Sequence, residues 1–241
     1  MQPHLARRLL AEFLGTALLI VAVIGSGIAA ARLSPGDMGL QLYENAAATA
    51  AALVALILAF GPVSGAHFNP VVTFADRVFG GARTREAAGY IAAQVTGGCF
   101  GALVVNAMFG LATFQLSTKA RSGGPLLLGE VVATFGLLLT IFGVVRSGRA
   151  SVAPFAVGAY IGGAYFFTSS TSFANPAVTT ARMLSDTFAG IKPSSVPGFV
   201  IAQVVGAVIA VGAIWLLYPK VTAVAENVVV PHPPMTEVPS G

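Results

Sequence analysis

Residues 64–73 read SGAHFNPVVT, and residues 170–179 read STSFANPAVT. Each stretch contains an Asn-Pro pair, Asn69-Pro70 in the first and Asn175-Pro176 in the second. Asn is a preferred helix N-cap, and Pro is favoured at the first helical position because the N–H that it lacks is not needed there. Each Asn-Pro pair therefore predicts the start of a helix.

The two predicted helices are too short to cross a bilayer. About ten residues follow each pair before Gly80 in the first stretch and before Gly190 in the second. Ten residues rise about 15 Å, which is half of a hydrocarbon core of about 30 Å. Each stretch is therefore predicted to form a half-helix that reaches only to the middle of the membrane.

The sequence around the two stretches also repeats. Glu12 and Thr16 match Glu130 and Thr134, and residues 90–95 match residues 199–204. Together with the Asn-Pro stretches, these matches occur in one order at offsets of 118, 106 and 109 residues. The chain therefore contains two related halves.

The composition indicates a membrane protein. Only 9% of the residues are charged and 56% are hydrophobic, whereas about 25% of a typical soluble domain is charged. Six apolar runs are long enough to span a bilayer. They lie at about 8–31, 42–62, 86–113, 126–146, 152–170 and 196–218. The predicted fold is an all-α membrane protein with six transmembrane helices and two re-entrant half-helices.

Each half contains three spans, so the second half enters the membrane inverted relative to the first. We predict one transmembrane domain over 1–220, with repeat one at about 5–115, repeat two at about 124–218 and a disordered tail at 221–241. An even number of spans places both termini on one side. If that side is the cytoplasm, eight Lys and Arg lie inside, including Arg7, Arg8 and Lys220, against five outside. This excess favours cytoplasmic termini in the cell (inner) membrane.

Inverted repeats place a transport path at their interface near the midplane. The half-helix N-termini would meet there, each with roughly half a positive charge from the peptide dipoles. The Asn69 and Asn175 amides would add N–H donors, so the path should admit neutral oxygen-bearing solutes and repel cations and protons. The carbonyl groups expected to line it belong to Gly65, Ala66, His67, Ser170, Thr171 and Ser172.

Residues 64–71 and 173–178 resemble the paired signature loops of the aquaporin (major intrinsic protein) family. The resemblance extends over about 5–218, with Val71 where the first loop usually has Ala and Ala177 in the usual place of the second. It implies a homotetramer with one pore per subunit. It is greatest for bacterial aquaglyceroporin-type channels associated with arsenic detoxification, because Val178 stands where most members have Arg.

The resemblance also implies a constriction formed by Thr49, Gly163, Ser172 and Val178. Three of these residues are small and none is charged or aromatic, so we expect a wide, uncharged and mildly amphipathic filter. The expected cargo is glycerol-like polyols, arsenite or methylated arsenicals, and water.

Several residues allow two interpretations. Glu12 and Glu130 are either proton-coupling groups of a secondary transporter or structural braces that accept hydrogen bonds from the re-entrant loops. His67 either gates the pore by protonation or holds the loop. Arg182 either supplies the missing filter charge from the outer vestibule, or it pairs with Asp186 or extends to the headgroups.

Other classes of function have little support. The sequence shows no catalytic triad, phosphate loop or metal cluster, so no enzyme activity, metal or cofactor is expected. The basic residues are scattered and not interleaved with aromatic residues, so nucleic acid is not an expected partner. The expected partners are small neutral solutes, the lipid bilayer and further copies of the chain. A membrane protein without a pore is a further alternative, which would give no solute flux.

Overall fold

The computed structural model describes residues 3–218, and every regular element within them is helical. Six helical segments are long and apolar enough to cross a membrane, as the sequence predicts. Two of them, Ala150–Phe167 and Pro193–Leu217, begin with a short 3-10 turn before the α-helix. The predicted tail at 221–241 and Lys220 lie outside the described residues. The helices are α1 (Leu5–Leu33), α2 (Met38–Ser64), α3 (Pro70–Phe79), α4 (Thr84–Met108), α5 (Gly124–Arg146), α6 (Ala153–Phe167), α7 (Pro176–Arg182) and α8 (Val196–Leu217).

The two short helices α3 and α7 begin at the Asn-Pro pairs. The helix α3 has the predicted ten residues and ends at Gly80, whose φ of 93° gives the left-handed cap that favours glycine. The helix α7 has only seven residues and rises about 10 Å. The prediction of ten residues is wrong here because the chain tightens after Arg182, where the Leu184 N–H bonds to the Ala181 carbonyl three residues back.

Close helix crossings are formed at glycines, and they repeat between the halves. A Cβ atom at Gly97 in α4 would lie 2.3 Å from the Phe13 carbonyl oxygen in α1. A Cβ atom at Gly206 in α8 would lie 2.5 Å from the Val131 carbonyl oxygen in α5. Gly97 and Gly206, like Phe13 and Val131, are equivalent positions of the internal repeat. The two halves therefore share a packing geometry that the hydrophobic composition alone does not reveal.

The two halves also contact each other directly. Gly158 in α6 allows close approach to α2, since a Cβ atom there would lie 2.9 Å from the Ala50 carbonyl oxygen. The half-helices α3 and α7 pack between the long helices, and their N-termini meet at the centre of the molecule. This arrangement places the loops before α3 and α7 at the interface of the two halves.

Candidate functional site

The two Asn-Pro loops are joined at the centre by a reciprocal pair of hydrogen bonds. The Nδ2 atom of Asn69 donates to the carbonyl oxygen of Ala174 over 2.8 Å. The Nδ2 atom of Asn175 donates to the carbonyl oxygen of Phe68, also over 2.8 Å. Each half of the chain therefore supplies a donor and an acceptor to the other.

The same two side chains cap the half-helices. The Oδ1 atom of Asn69 accepts from the Val71 N–H over 3.1 Å, and that of Asn175 accepts from the Ala177 N–H over 2.9 Å. An amide nitrogen has two N–H donors, and the cross-bond takes one on each residue. Both residues line the central cavity, so one N–H on each side chain is left for a permeating solute.

The backbone before each half-helix is left-handed at equivalent positions. In the first loop φ is 91° at Gly65, 49° at Ala66 and 48° at Phe68. In the second loop the equivalent φ values are 62° at Thr171, 50° at Ser172 and 47° at Ala174. Residues other than glycine rarely adopt this conformation and need support from their surroundings.

Glu12 provides that support in the first half. One carboxylate oxygen accepts from the Ser64 hydroxyl over 2.6 Å and from the His67 N–H over 3.0 Å. The other accepts from the Phe68 N–H over 2.8 Å and from Gln94 Nε2 over 2.7 Å. The carboxylate is fully buried and does not line the cavity.

Glu130 holds the second loop in the same manner. It accepts from the N–H groups of Phe173 and Ala174, each over 2.9 Å, and from Gln203 Nε2 over 2.6 Å. Gln203 also donates to Thr179 on α7, as Gln94 donates to Thr73 on α3. The hydrogen bonds thus follow the sequence repeat, which favours the structural interpretation of both glutamates.

A central cavity runs past both asparagines between the two halves. Of the six carbonyl-bearing residues expected along the path, Ala66, His67 and Ser172 line this cavity, whereas Gly65, Ser170 and Thr171 do not. Most of its wall is aliphatic. The aliphatic wall residues come from four of the long helices and both half-helices and include Leu19, Val23, Leu53, Ile57, Val72, Leu137, Ile141, Val157, Ile161 and Val178.

Three of the four expected filter residues, Thr49, Ser172 and Val178, line the cavity. The expectation for Gly163 is wrong, because it lies on the exposed face of α6. Ile161 and Tyr165, four residues apart and so on one face of α6, line the cavity instead. The Tyr165 hydroxyl lies 3.2 Å from the Thr49 hydroxyl. Spacing from Asn175 did not identify Tyr165, and the sequence of α6 is apolar on all faces, so it does not indicate which face lines the cavity.

Arg182, at the end of α7, also lines the cavity and is only 2% exposed. Its Nε atom donates to the Ala189 carbonyl oxygen, and its guanidinium carbon lies 3.5 Å from the centre of the Phe173 ring. Asp186 instead accepts from Thr118. The alternatives of an Arg182–Asp186 pair and of extension to the headgroups are therefore wrong. Arg182 and Tyr165 add a charged and an aromatic group to the cavity wall, which the four expected filter residues lack.

His67 is held at the opposite end of the cavity. Its Nδ1 atom lies 3.1 Å from the Thr73 hydroxyl, and its Nε2 atom lies 4.0 Å from Asp76. Close by, Arg8 is buried and bonds both Glu86 and the hydroxyl of Tyr90. The contacts of His67 connect the first loop to α3, which favours a structural role for this residue.

The fold and this site define a multi-pass membrane channel with a solute path between two inverted halves. The chain belongs to the Major intrinsic protein family, whose sequence profile matches residues 1–174. It is therefore a passive channel of the water- and glycerol-conducting kind and not an enzyme. Its cargo belongs to the class of small neutral solutes.

Individual relatives agree with this assignment. The chain is 49% identical to aquaglyceroporin AqpS of Rhizobium meliloti, over 89% of this chain and 92% of that protein. It is 32% identical to the probable aquaporin AqpM of Archaeoglobus fulgidus, over 88% of this chain and 96% of that protein. The crystal structure of the aquaglyceroporin from Plasmodium falciparum matches with a TM-score of 0.71 at 21% identity, over 91% of this chain and 99% of that chain. The last comparison shows the shared fold.

Proposed function

We propose that the protein conducts small uncharged solutes rich in oxygen, namely glycerol-like polyols, arsenite or methylated arsenicals, and water, and that it excludes protons and cations. The observation that carries this proposal is the meeting of the two half-helix N-termini at Asn69 and Asn175 inside the cavity. A solute with oxygen lone pairs can accept from the remaining amide N–H groups, whereas a cation cannot.

Cation exclusion follows from electrostatics. Each helix N-terminus is equivalent to roughly half a positive charge, and the aliphatic wall provides little screening. The short α7 still contributes, because the effect arises mainly from the N–H groups of the first turn. A file of water molecules passing the two amides would have to orient its oxygens toward them, which opposes proton transfer along the file.

Acceptance of solutes larger than water is supported by the amphipathic wall. Val178 supplies an apolar surface on α7, while the hydroxyls of Thr49 and Tyr165 supply polar groups. A polyol or a methylated oxyacid has both kinds of surface and can contact both walls at once.

We propose that the chain forms one channel domain over 1–220, resides in the cell (inner) membrane with both termini in the cytoplasm, and assembles as a homotetramer. The numbers of Lys and Arg on the two sides support the orientation. Large exposed apolar side chains on the long helices, such as Leu18, Phe100 and Ile201, supply the surface that lipid or neighbouring subunits would cover. In this orientation, α7 and residues 109–123 lie toward the outside.

Stopped-flow light scattering on proteoliposomes tests the proposal, with water, glycerol and arsenite compared against protein-free liposomes. Glycerol permeability should rise severalfold without a proton leak of the size that gramicidin gives. Gradient-driven, saturable uptake would instead support the proton-coupled transporter with Glu12 and Glu130 as coupling groups. The burial of both carboxylates away from the cavity argues against that alternative.

A further inference from the structure

Three cationic side chains converge on one short segment beside the outer end of the cavity. The carbonyl oxygens of residues 188, 189 and 190 each accept a hydrogen bond from a different cation. Lys119 Nζ donates to Phe188 over 2.7 Å, Arg182 Nε donates to Ala189, and Arg121 Nε donates to Gly190 over 2.9 Å. We call Lys119, Arg121 and Arg182 the outer cation cluster.

Among the described residues, no carboxylate forms an ion pair with this cluster. Within residues 3–218 the Arg8–Glu86 ion pair and the 4.0 Å contact between His67 and Asp76 are on the opposite side of the membrane. Asp186, the acidic residue nearest in sequence to Arg182, accepts from the backbone and side chain of Thr118. Glu130 contributes some opposing charge through space. However, both of its carboxylate oxygens accept hydrogen bonds from the second Asn-Pro loop and Gln203.

Arg182 has N–H donors that no other described residue accepts. It uses Nε for the Ala189 carbonyl oxygen, and its two terminal nitrogens make no hydrogen bond to any residue between 3 and 218. It is nevertheless buried, being only 2% exposed, and it lines the cavity. A guanidinium at the wall of a cavity, with terminal N–H groups that no other residue in this range accepts, favours a ligand that accepts hydrogen bonds.

The aromatic ring of Phe173 fixes the orientation of the guanidinium groups. The guanidinium carbon of Arg182 lies 3.5 Å and that of Arg121 lies 5.0 Å from the ring centre. Stacking on a ring restricts each planar group while leaving its edge available for hydrogen bonds. The edge of a guanidinium matches two oxygens of a carboxylate or phosphate group, which a spherical anion cannot reproduce.

We propose that the outer cation cluster is a binding site for a small oxyanion at the outer end of the pore. The bound oxyanion lies above Val178 and obstructs the passage of neutral solutes. The site goes beyond the conduction of neutral solutes, since it recognises the charged form of an oxyacid that the pore does not conduct.

Inorganic phosphate is the probe, and sodium chloride at the same ionic strength is the matched control. Phosphate should bind the purified full-length channel in isothermal titration calorimetry and should lower glycerol permeability in proteoliposomes in a saturable manner. Chloride should do neither. Equal inhibition by both salts would overturn the proposal, since it would reflect ionic strength alone.

Variants then locate the site. Arg182→Gln and Arg121→Gln should each weaken phosphate binding at least tenfold, and Arg121→Gln, the less buried change, keeps the test informative if Arg182→Gln does not fold. Lys192→Gln removes an exposed cation of the same outer surface and should leave binding unchanged. Unaltered phosphate binding in both arginine variants would overturn the proposal. The absence of glycerol flux in the parent would contradict the proposed function, but calorimetry would still report on the site.

Discussion

The amide nitrogen of Asn69 lies 2.8 Å from the carbonyl oxygen of Ala174, although 105 residues separate the two along the chain. The reciprocal bond from Asn175 to Phe68 has the same length. Each asparagine therefore has two structural roles. Its side-chain oxygen caps its own half-helix, and its side-chain nitrogen donates a hydrogen bond to the other loop.

The substitution Asn175→Asp keeps the capping interaction and removes the hydrogen bond to the other loop. The new carboxylate would still cap α7, but it cannot donate to the Phe68 carbonyl and would bring a negative charge to the midplane. We expect the barrier to cations to fall, with a proton or potassium leak at least tenfold above that of the parent. A pH-sensitive dye inside proteoliposomes measures the leak. An unchanged leak in a folded variant would show that the Asn175 amide does not control ion exclusion.

Glu12 can be tested by two substitutions of similar size. Leu would leave four donors without an acceptor, each costing about 1–3 kcal/mol, so Glu12→Leu should not yield folded channel. Gln keeps one acceptor oxygen but turns an NH2 group toward other donors, so Glu12→Gln should fold with a lower melting temperature. Thermal unfolding and glycerol flux are the measurements. A Gln variant with normal thermal stability but no flux would support proton coupling.

The Val178→Arg variant tests the filter. The new side chain would lie four residues before Arg182 on α7, so two cations would share one helix face beside the cavity. We expect glycerol permeability to fall severalfold and water permeability to fall less. Stopped-flow measurements on the same vesicle preparations give both values. A glycerol-to-water ratio that stays the same or rises would show that Val178 does not limit solute size.

A pair of glycine substitutions tests the repeated helix crossings. A Cβ atom at Gly97 would lie 2.3 Å from the backbone oxygen of Phe13, whereas one at Gly212 in α8 meets nothing within 4 Å. Gly97→Ala should therefore force α1 and α4 apart and destabilise the protein by more than about 2 kcal/mol. Gly212→Ala should be neutral or stabilising by up to about 1 kcal/mol. Equal melting temperatures for the two variants would contradict this account of the crossing.

Lys119 should lose its proton at an unusually low pH. Its pKa is lowered from 10.5 to about 8, mainly by burial and also by the neighbouring charges of Arg121 and Arg182. Because the group is a base with a lowered pKa, its positive charge is present below pH 8 and is lost above it. The rate of acylation at Lys119, followed by mass spectrometry against pH, should have its midpoint near 8. Arg121→Gln removes a like charge and should raise that midpoint, and a midpoint above 10 in the parent would contradict the assignment.

Much of this architecture could be predicted from the sequence because its determinants are local or repeated. The Asn-Pro pairs specify helix starts through capping, and the apolar runs specify spans through the thickness of the bilayer. The matches of Glu12 with Glu130 and of Gln94 with Gln203 correspond to equivalent hydrogen bonds in the structure. These features depend on residue type at a fixed position, so a single sequence contains them.

The outer end of the pore could not be predicted in the same way. Which residue of α6 faces the cavity depends on the rotation of that helix, and a shift of two residues along the helix replaces Gly163 with Ile161 or Tyr165. The burial of Arg182 depends on the Ala189 carbonyl and the Phe173 ring, which reach it only through the path of the loop after α7. No spacing rule describes that path.

The crossed hydrogen bonds between the asparagines have a consequence for synthesis in the membrane. While only the first half has been made, the Asn69 amide has no Ala174 carbonyl to meet, and α3 has no opposing half-helix. The second half supplies the remaining wall of the cavity from α5, α6 and α7. The wall of the passage is therefore incomplete in a growing chain until α7 has been made.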